Sequence, residues 1–197
     1  RERLCAFPDD MNIPLFPLRT VLFPEGPLPL RIFEPRYVDM ISYCMKHDMP
    51  FGVLLIREGN ETGEATTCEV GTLANITDWY QGSDGILGIT AIGTDRFRLL
   101  SSERQADGLN VGEIELIPAP PPTELPVEYS NLPHILETVL DDLGRLYEGL
   151  ERRPQDANWL AWRFVEILPI DLDEKQAVLE SDDAAAALQM VERALHT

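Results

Sequence analysis

The chain has 197 residues, of which 44% are hydrophobic, and a formal net charge of −18. That length allows one large domain or two small ones with a real apolar core. The charge argues against a phosphate-binding surface, because non-specific nucleic-acid affinity rests largely on Lys and Arg neutralising phosphates.

The first informative stretch, "NIPLFPLRTVLFPEGPLPLRIFEPRYVDMI", carries six prolines in thirty residues and still reads as strands. Proline lacks an N–H, so within a sheet it is confined to edges, strand starts and bulges. Pro14, Pro17, Pro24, Pro27 and Pro29 therefore predict short, bent, edge-rich pieces, as in a partly open barrel. Pro35 suits the first position of a helix. Tyr37, Met40, Ile41 and Cys44 follow at helical spacing.

Residues 51–57 form a short apolar strand. Residues 69–81 and 86–92 flank "GSDG", a hairpin signal. "DRFRLL" and "VGEIELI" add two more strands, with Arg96 and Arg98 alternating against Phe97 and Leu99 at the period of a half-buried strand. "PAPPPTELP" is a semi-rigid spacer. Beyond it the pattern turns helical. One helix is expected over 131–150. A second, "ANWLAWRFVEIL", has a narrow polar stripe at Arg163 and Glu166, which places Trp159 and Trp162 at the centre of a bundle. A third starts at Asp171 with capping-box spacing to Glu174. A fourth is capped by Ser181 or Asp182. The expected organisation is a β-rich module over 12–117, a proline-rich linker over 118–126 and a helical part over 127–197.

Other features narrow the possibilities. The charge is spread evenly, −9 over residues 1–127 and −9 over 128–197, which makes solubility its simplest role. No apolar run approaches the 18 residues of a membrane-spanning helix. The opening "RERLCAFPDDMNI" lacks the apolar region of a secretion signal, so a cytoplasmic location is expected, and Met11 would make a natural start. Cys5, Cys44 and Cys68 are odd in number and scattered, which argues against a disulfide framework. Cys44 and His47 share a helix, but a metal site needs three or four ligands, and no further ligand stands at a suitable spacing. No metal and no cofactor are expected. Ser83 sits in a turn rather than between a strand and a helix, as a nucleophile elbow requires. Lys46 and Lys175 lie in strongly charged helical segments where a solvated lysine is ordinary. Adjacent acidic pairs, Asp141-Asp142 and Asp182-Asp183, do not face each other on a helix.

Three segments carry a specific resemblance: "IPLFPLRTVLFPEGPLPLRIFEPRY", "EVGTLANI" and "GTDRFRLL". They closely resemble the N-terminal substrate-binding domain of Lon proteases, and "LPIDLDEKQAVLE" is similar to the helical part of that family. The likeness spans about residues 12–181. "GTDRF" is less basic than the family's usual sequence there. The resemblance implies an α+β fold, with a PUA-like β pseudo-barrel followed by a small helical bundle. It also implies a non-catalytic module that binds unfolded or exposed apolar polypeptide. The phosphate loop G-x-x-x-x-G-K-[ST] of the family's ATPase region is absent here. The Ser–Lys protease region is expected to be missing as well, leaving a stand-alone substrate-binding domain.

Candidate binding residues are Trp79 and Tyr80, since aromatics are enriched at binding hot spots. Phe23 and Leu28, set between prolines, are expected to line the same surface. The proline-rich edges are expected to leave backbone groups open to an added strand. The expected partner is unfolded or partly folded polypeptide, with no nucleic acid and no membrane. PUA-like folds often bind RNA, which keeps an RNA-binding protein as an alternative, although the acidic charge and the lack of a basic-aromatic patch oppose it. An unrecognised hydrolase is the third possibility.

Overall fold

The structure, a computed structural model, describes residues 12–61 and 65–197. Cys5 and Met11 lie outside the described residues. The chain divides into two compact units, Arg1–Pro118 and Ala119–Thr197.

The first unit holds β1 (Asn12–Leu18), β2 (Pro27–Ile32), α1 (Pro35–His47), β3 (Phe51–Gly59), β4 (Ala65–Thr67), β5 (Val70–Gln81), β6 (Leu87–Arg104) and β7 (Asn110–Ile117). The strands run in the order β1-β7-β6-β5-β3-β4, and an added β1–β3 pairing closes five of them into a ring. β1 makes that closure. Asn12–Pro14 pair with β7 in antiparallel fashion, and Leu15–Leu18 pair with β3 in parallel. Each half of β1 therefore has one ladder in register, and a strand needing bonds on one side at a time tolerates Pro14 and Pro17.

Alternation along β1 explains why its sequence is almost wholly apolar. Ile13 and Leu15 point into the barrel with Leu54, Leu73, Phe97 and Ile114. Phe16 and Leu18 point the other way, into a second core beneath α1. There Phe16 stacks on Tyr37 with ring centroids 4.1 Å apart. Pro35 occupies the first turn of α1, and Tyr37, Met40, Ile41 and Cys44 form its buried face. The helix ends at Asp48, which has φ 50°. Arg36 fixes its start, donating to the Glu34 carboxylate at 3.0 Å and to the Gly108 carbonyl at 2.9 Å.

Two expectations for β6 change. Ile86–Ile92 and "DRFRLL" are parts of one 18-residue strand, which pairs with β2 and β5 along its first half and with β7 along its second. Arg96 is also buried rather than turned to solvent, and its guanidinium donates to the Pro118 carbonyl at 3.0 Å.

The second unit holds α2 (Leu132–Leu143), α3 (Ala157–Ile167), α4 (Leu172–Glu180) and α5 (Ala184–Leu195). Much of the proline-rich segment is built into this unit. Leu125 N–H donates to the Gln155 carbonyl at 3.1 Å, and Ala157 N–H donates to the Thr123 carbonyl at 2.8 Å. The Asn158 side chain adds a bond to the Pro121 carbonyl at 3.2 Å. The helix expected over 131–150 stops at Leu143, because Gly144 takes φ 59° and ψ −121°, a conformation only glycine adopts readily. A 3₁₀ turn, Gly144–Tyr147, continues from it.

Asp156 caps α3 by accepting from Asn158 N–H at 3.1 Å. Asp171 stands at the start of α4, but its side chain makes no capping bond. Asp183, one residue past the expected positions, caps α5 through Ala186 N–H at 3.0 Å. Trp159 and Trp162 are both buried. The expected polar stripe of α3 is also turned inward. Arg163 is fully buried and pairs with Glu166 at 3.0 Å.

Candidate functional site

β5 and β6 meet in the hairpin whose turn is Gly82–Gly85. Gly82 N–H donates to the Ile86 carbonyl at 3.0 Å, and the Asp84 carboxylate accepts Ile86 N–H at 3.0 Å. That bond, assisted by the Arg31 cation, holds the Asp84 carboxyl below the usual range. Ser83 lies in this turn.

The hairpin continues beyond the barrel as a three-stranded ribbon with β2 at one side. Two hydrogen bonds set which way the backbone groups of β6 turn. Gly82 N–H reaches the Ile86 carbonyl, while Gly93 N–H reaches the Gly26 carbonyl at 2.8 Å. Successive residues of a strand present their N–H and C=O groups to alternate sides. Residues 86, 88, 90 and 92 therefore face β5, and 87, 89, 91 and 93 face β2. With Leu28 opposite Ala91 and Leu30 opposite Ile89, Pro27 and Pro29 turn their missing donors to the outer side. The prolines thus cost β2 no ladder bond, and they deny an incoming strand two donors. The expectation that proline-rich edges welcome an added strand reverses at β2.

The other outer edge belongs to β5. Its pairing with β3 ends at Ala74, and no described strand lies beside it from Asn75 onward. Trp79 lies opposite Ile89, so its N–H turns outward, where the Asp78 carboxylate accepts it at 2.9 Å. A bulge sits at Thr77, between the pairs Ile76–Ala91 and Asp78–Thr90. The extra residue puts Ile76 and Trp79 on the same face, above the buried Ala91 and Ile89. That face is the one α1 covers.

A groove of about 510 Å³ results between the end of α1 and the open edge of β5. Cys44, Met45, Asp48 and Met49 form one wall, and Asn75–Trp79 form the other. Trp79 is 55% exposed, and Met45 is exposed beside it. Cys44 contributes a buried wall, and burial pushes its thiol up to about 12, so it has little nucleophilic character at neutral pH. His47 stands outside the groove, exposed and stacked on Tyr43 with centroids 4.1 Å apart.

The four candidate binding residues separate. Phe23 is fully buried and Leu28 is 7% exposed, with Leu28 in the core under α1. Neither side chain reaches a partner. Leu28 lies opposite the buried Ala91, which puts its side chain on the face that α1 covers. Trp79 and Tyr80 are exposed, but adjacent strand residues point to opposite faces. Tyr80, 58% exposed, lays its ring across Gly88, where an added Cβ would collide with the ring. Only Trp79 belongs to the groove. Asp78, Asp48 and Met45 were not singled out from sequence. The bulge that re-aims Trp79 leaves no local mark in the sequence.

A second cluster of titratable groups lies in the helical unit. Tyr147 O–H donates to the Glu166 carboxylate at 2.7 Å, and Arg163 donates to it at 3.0 Å. Lys175 Nζ donates to the Glu166 carbonyl at 3.1 Å. Burial pushes Glu166 up, against the pull of the Arg163 cation, and pushes Lys175 down. The Glu166 carboxylate thus gathers a phenol and a guanidinium inside the helical unit, and we read the group as a structural cluster. Among the described residues, no three His, Cys, Asp or Glu side chains are placed to hold a metal ion. No described helix is long and apolar enough to cross a membrane.

Comparison with known proteins agrees with this architecture. The chain is 32% identical over 111 residues to "Protein cereblon" of Danio rerio, covering 54% of this chain and 26% of the relative. It is 26% identical over 187 residues to "Lon protease 2" of Myxococcus xanthus, covering 91% of this chain and 23% of the relative. The chain thus spans about a quarter of the length of these relatives. The crystal structure of a Lon N-terminal domain protein from Xanthomonas campestris superposes with a TM-score of 0.75 and 33% identity, covering 92% of this chain and 97% of that one. The N-terminal domain of Mycobacterium avium complex Lon protease shares the fold, with a TM-score of 0.60 and 15% identity over 91% of this chain and 95% of that one. The match to the ATP-dependent protease La (LON) substrate-binding domain runs over residues 12–197, and the chain belongs to that family.

Proposed function

We propose that this domain is a non-catalytic polypeptide-recognition module that holds exposed apolar segments of other chains in the groove between α1 and β5. The observation that carries the reading is the exposed indole of Trp79, which forms a wall of that groove beside Met45. A large aromatic with a solvent-facing ring beside a flexible thioether is suited to varied apolar side chains. The family's description as a substrate-binding domain supports the same reading. The acidic surface favours polypeptide over nucleic acid as the partner, since it supplies few cations to neutralise phosphates.

A single short segment buries far less than the roughly 1,600 Å² of a standard protein interface, so affinity on the order of micromolar is expected. The test is titration of a reduced, unfolded model protein into wild type and into Trp79→Ala and Tyr80→Ala separately. Trp79→Ala weakens binding about tenfold, the usual effect of removing an aromatic anchor. Tyr80→Ala changes it little, because its ring covers Gly88 on the other face. Unchanged affinity in a folded Trp79→Ala variant, or tight RNA binding with a steep salt dependence, would overturn the reading.

A further inference from the structure

The groove's walls carry a sign as well as a shape. Asp48 follows the last turn of α1 on one side, and Asp78 stands next to Trp79 on the other, with no Lys, Arg or His in the lining. Both aspartates are exposed. The apolar surface between them comes from Met45, Met49, Ile76 and Trp79. An occupant must therefore bring a large apolar group to the centre and tolerate a carboxylate at each rim. Resting on the reading above, we infer that the preferred occupant is an extended polypeptide segment in which a lysine or arginine neighbours a bulky apolar residue.

Three physical effects combine in such a segment. The apolar side chain lies on Met45 and the indole. The cation meets Asp48 or Asp78, and a guanidinium or ammonium over the indole face gains a cation–π attraction. An acidic segment suffers like-charge repulsion at both rims and from a chain of net charge −18. The backbone is common to every segment, and Asp78 already accepts the Trp79 N–H that a partner strand would use. Preference among segments is thus set by side chains, and its electrostatic part weakens as salt shortens the screening length.

The experiment uses the full chain and three unstructured, fluorescently labelled dodecapeptides, read by anisotropy. One places Arg and Lys beside Leu and Phe. The second replaces each cation with Glu. The third keeps the cations and replaces Leu and Phe with Ser. Two exposed ion-pair contacts predict that the first binds wild type about tenfold tighter than the second at low salt. The third binds weakest if the groove's apolar surface anchors the segment. Asp48→Asn/Asp78→Asn preserves shape, since Asn also accepts from Trp79 N–H and tolerates the positive φ at 48, and it reduces the tenfold preference to about twofold or less. Trp79→Ala weakens both of the first two peptides, the first by more, because it also loses the cation–π contact. If wild type binds the basic and acidic peptides equally while Trp79→Ala still weakens both, the charge preference is wrong and the polypeptide reading stands. If Trp79→Ala leaves every peptide unaffected, both are wrong.

Discussion

Removing the Glu166 carboxylate is the sharpest perturbation of the helical unit. Arg163 has no exposed side-chain surface, and Glu166 has 9%. Taking one partner from a buried ion pair costs about 3–5 kcal/mol, because the remaining charge stays desolvated. Glu166→Ala should therefore lose about 3 kcal/mol or more, a large share of the roughly 5–15 kcal/mol that holds a typical domain folded. Tyr147→Phe keeps the ring and deletes one bond to a charged acceptor, so about 1.5–2 kcal/mol is expected. Equilibrium urea unfolding measures both, followed by the emission of Trp159 and Trp162 in a Trp79→Phe background, with the transition slope checked for constancy. The pH dependence supplies an independent arm. Burial raises the folded-state proton affinity of Glu166 above its ordinary value of 4.5. The stability owed to that proton is full below about pH 4.5 and is lost as pH rises through the raised folded value. Glu166→Gln cannot titrate, so the parent should lose stability relative to this variant as pH climbs from the acid side to neutrality. A Glu166→Ala protein within about 1 kcal/mol of the parent, or a stability difference from Glu166→Gln that is flat with pH, would refute the reasoning.

Two further outcomes follow from local geometry. Asp183→Ala should cost about 1 kcal/mol and Asp156→Ala more, since Asp156 accepts from both Asn158 N–H and Thr123 N–H, whereas Asp171→Ala should stay within a few tenths; thermal unfolding of the three variants ranks them. Iodoacetamide at neutral pH should leave Cys44 and Cys68 unmodified in the folded protein and modify both in urea, as peptide mapping by mass spectrometry would show, because both thiols are buried.

Much of the fold was legible where a single element carries its own signal. The spacing of Tyr37, Met40, Ile41 and Cys44 defined the buried face of α1, and Pro35 marked its start. "GSDG" marked the hairpin, and the apolar density of "ANWLAWRFVEIL" marked a buried helix. What was lost depends on distant partners. The double burial of β1 arises from barrel closure, which no window of the chain reports. Arg163 reads as solvent-facing because its partners, Glu166 and Tyr147, come together only once α2, the 3₁₀ turn and α3 fold onto one another. The burial of Phe23 and Leu28 also depends on packing that no local window reports. Prolines at 27 and 29 speak about which backbone groups lack donors, whereas exposure of Leu28 depends on which face its side chain takes. Trp79 and Tyr80 are both exposed but lie on opposite faces, because the bulge at Thr77 and the ring over Gly88 are consequences of pairing.

The two outer edges of the ribbon bear on how such a module can meet unfolded chains. An unfolded polypeptide carries unpaired N–H and C=O groups along its length, and an open strand edge would pair with them indiscriminately, including with the same edge on another copy. Here β2 presents prolines at alternate outward positions, and the outward N–H of Trp79 on β5 is held by Asp78. Both devices act on the backbone and leave the side-chain groove open. On the proposed reading, recognition in that groove comes from Trp79, Met45 and the two flanking aspartates. Such recognition is expected to be weak for each segment and sensitive to the side chains the segment carries. Removing the block at Asp78 with Asp78→Ala exposes the Trp79 N–H to partner strands. That variant should show greater self-association at high concentration by sedimentation velocity, and less discrimination between peptides, than the Asp78→Asn protein whose side chain still accepts the bond.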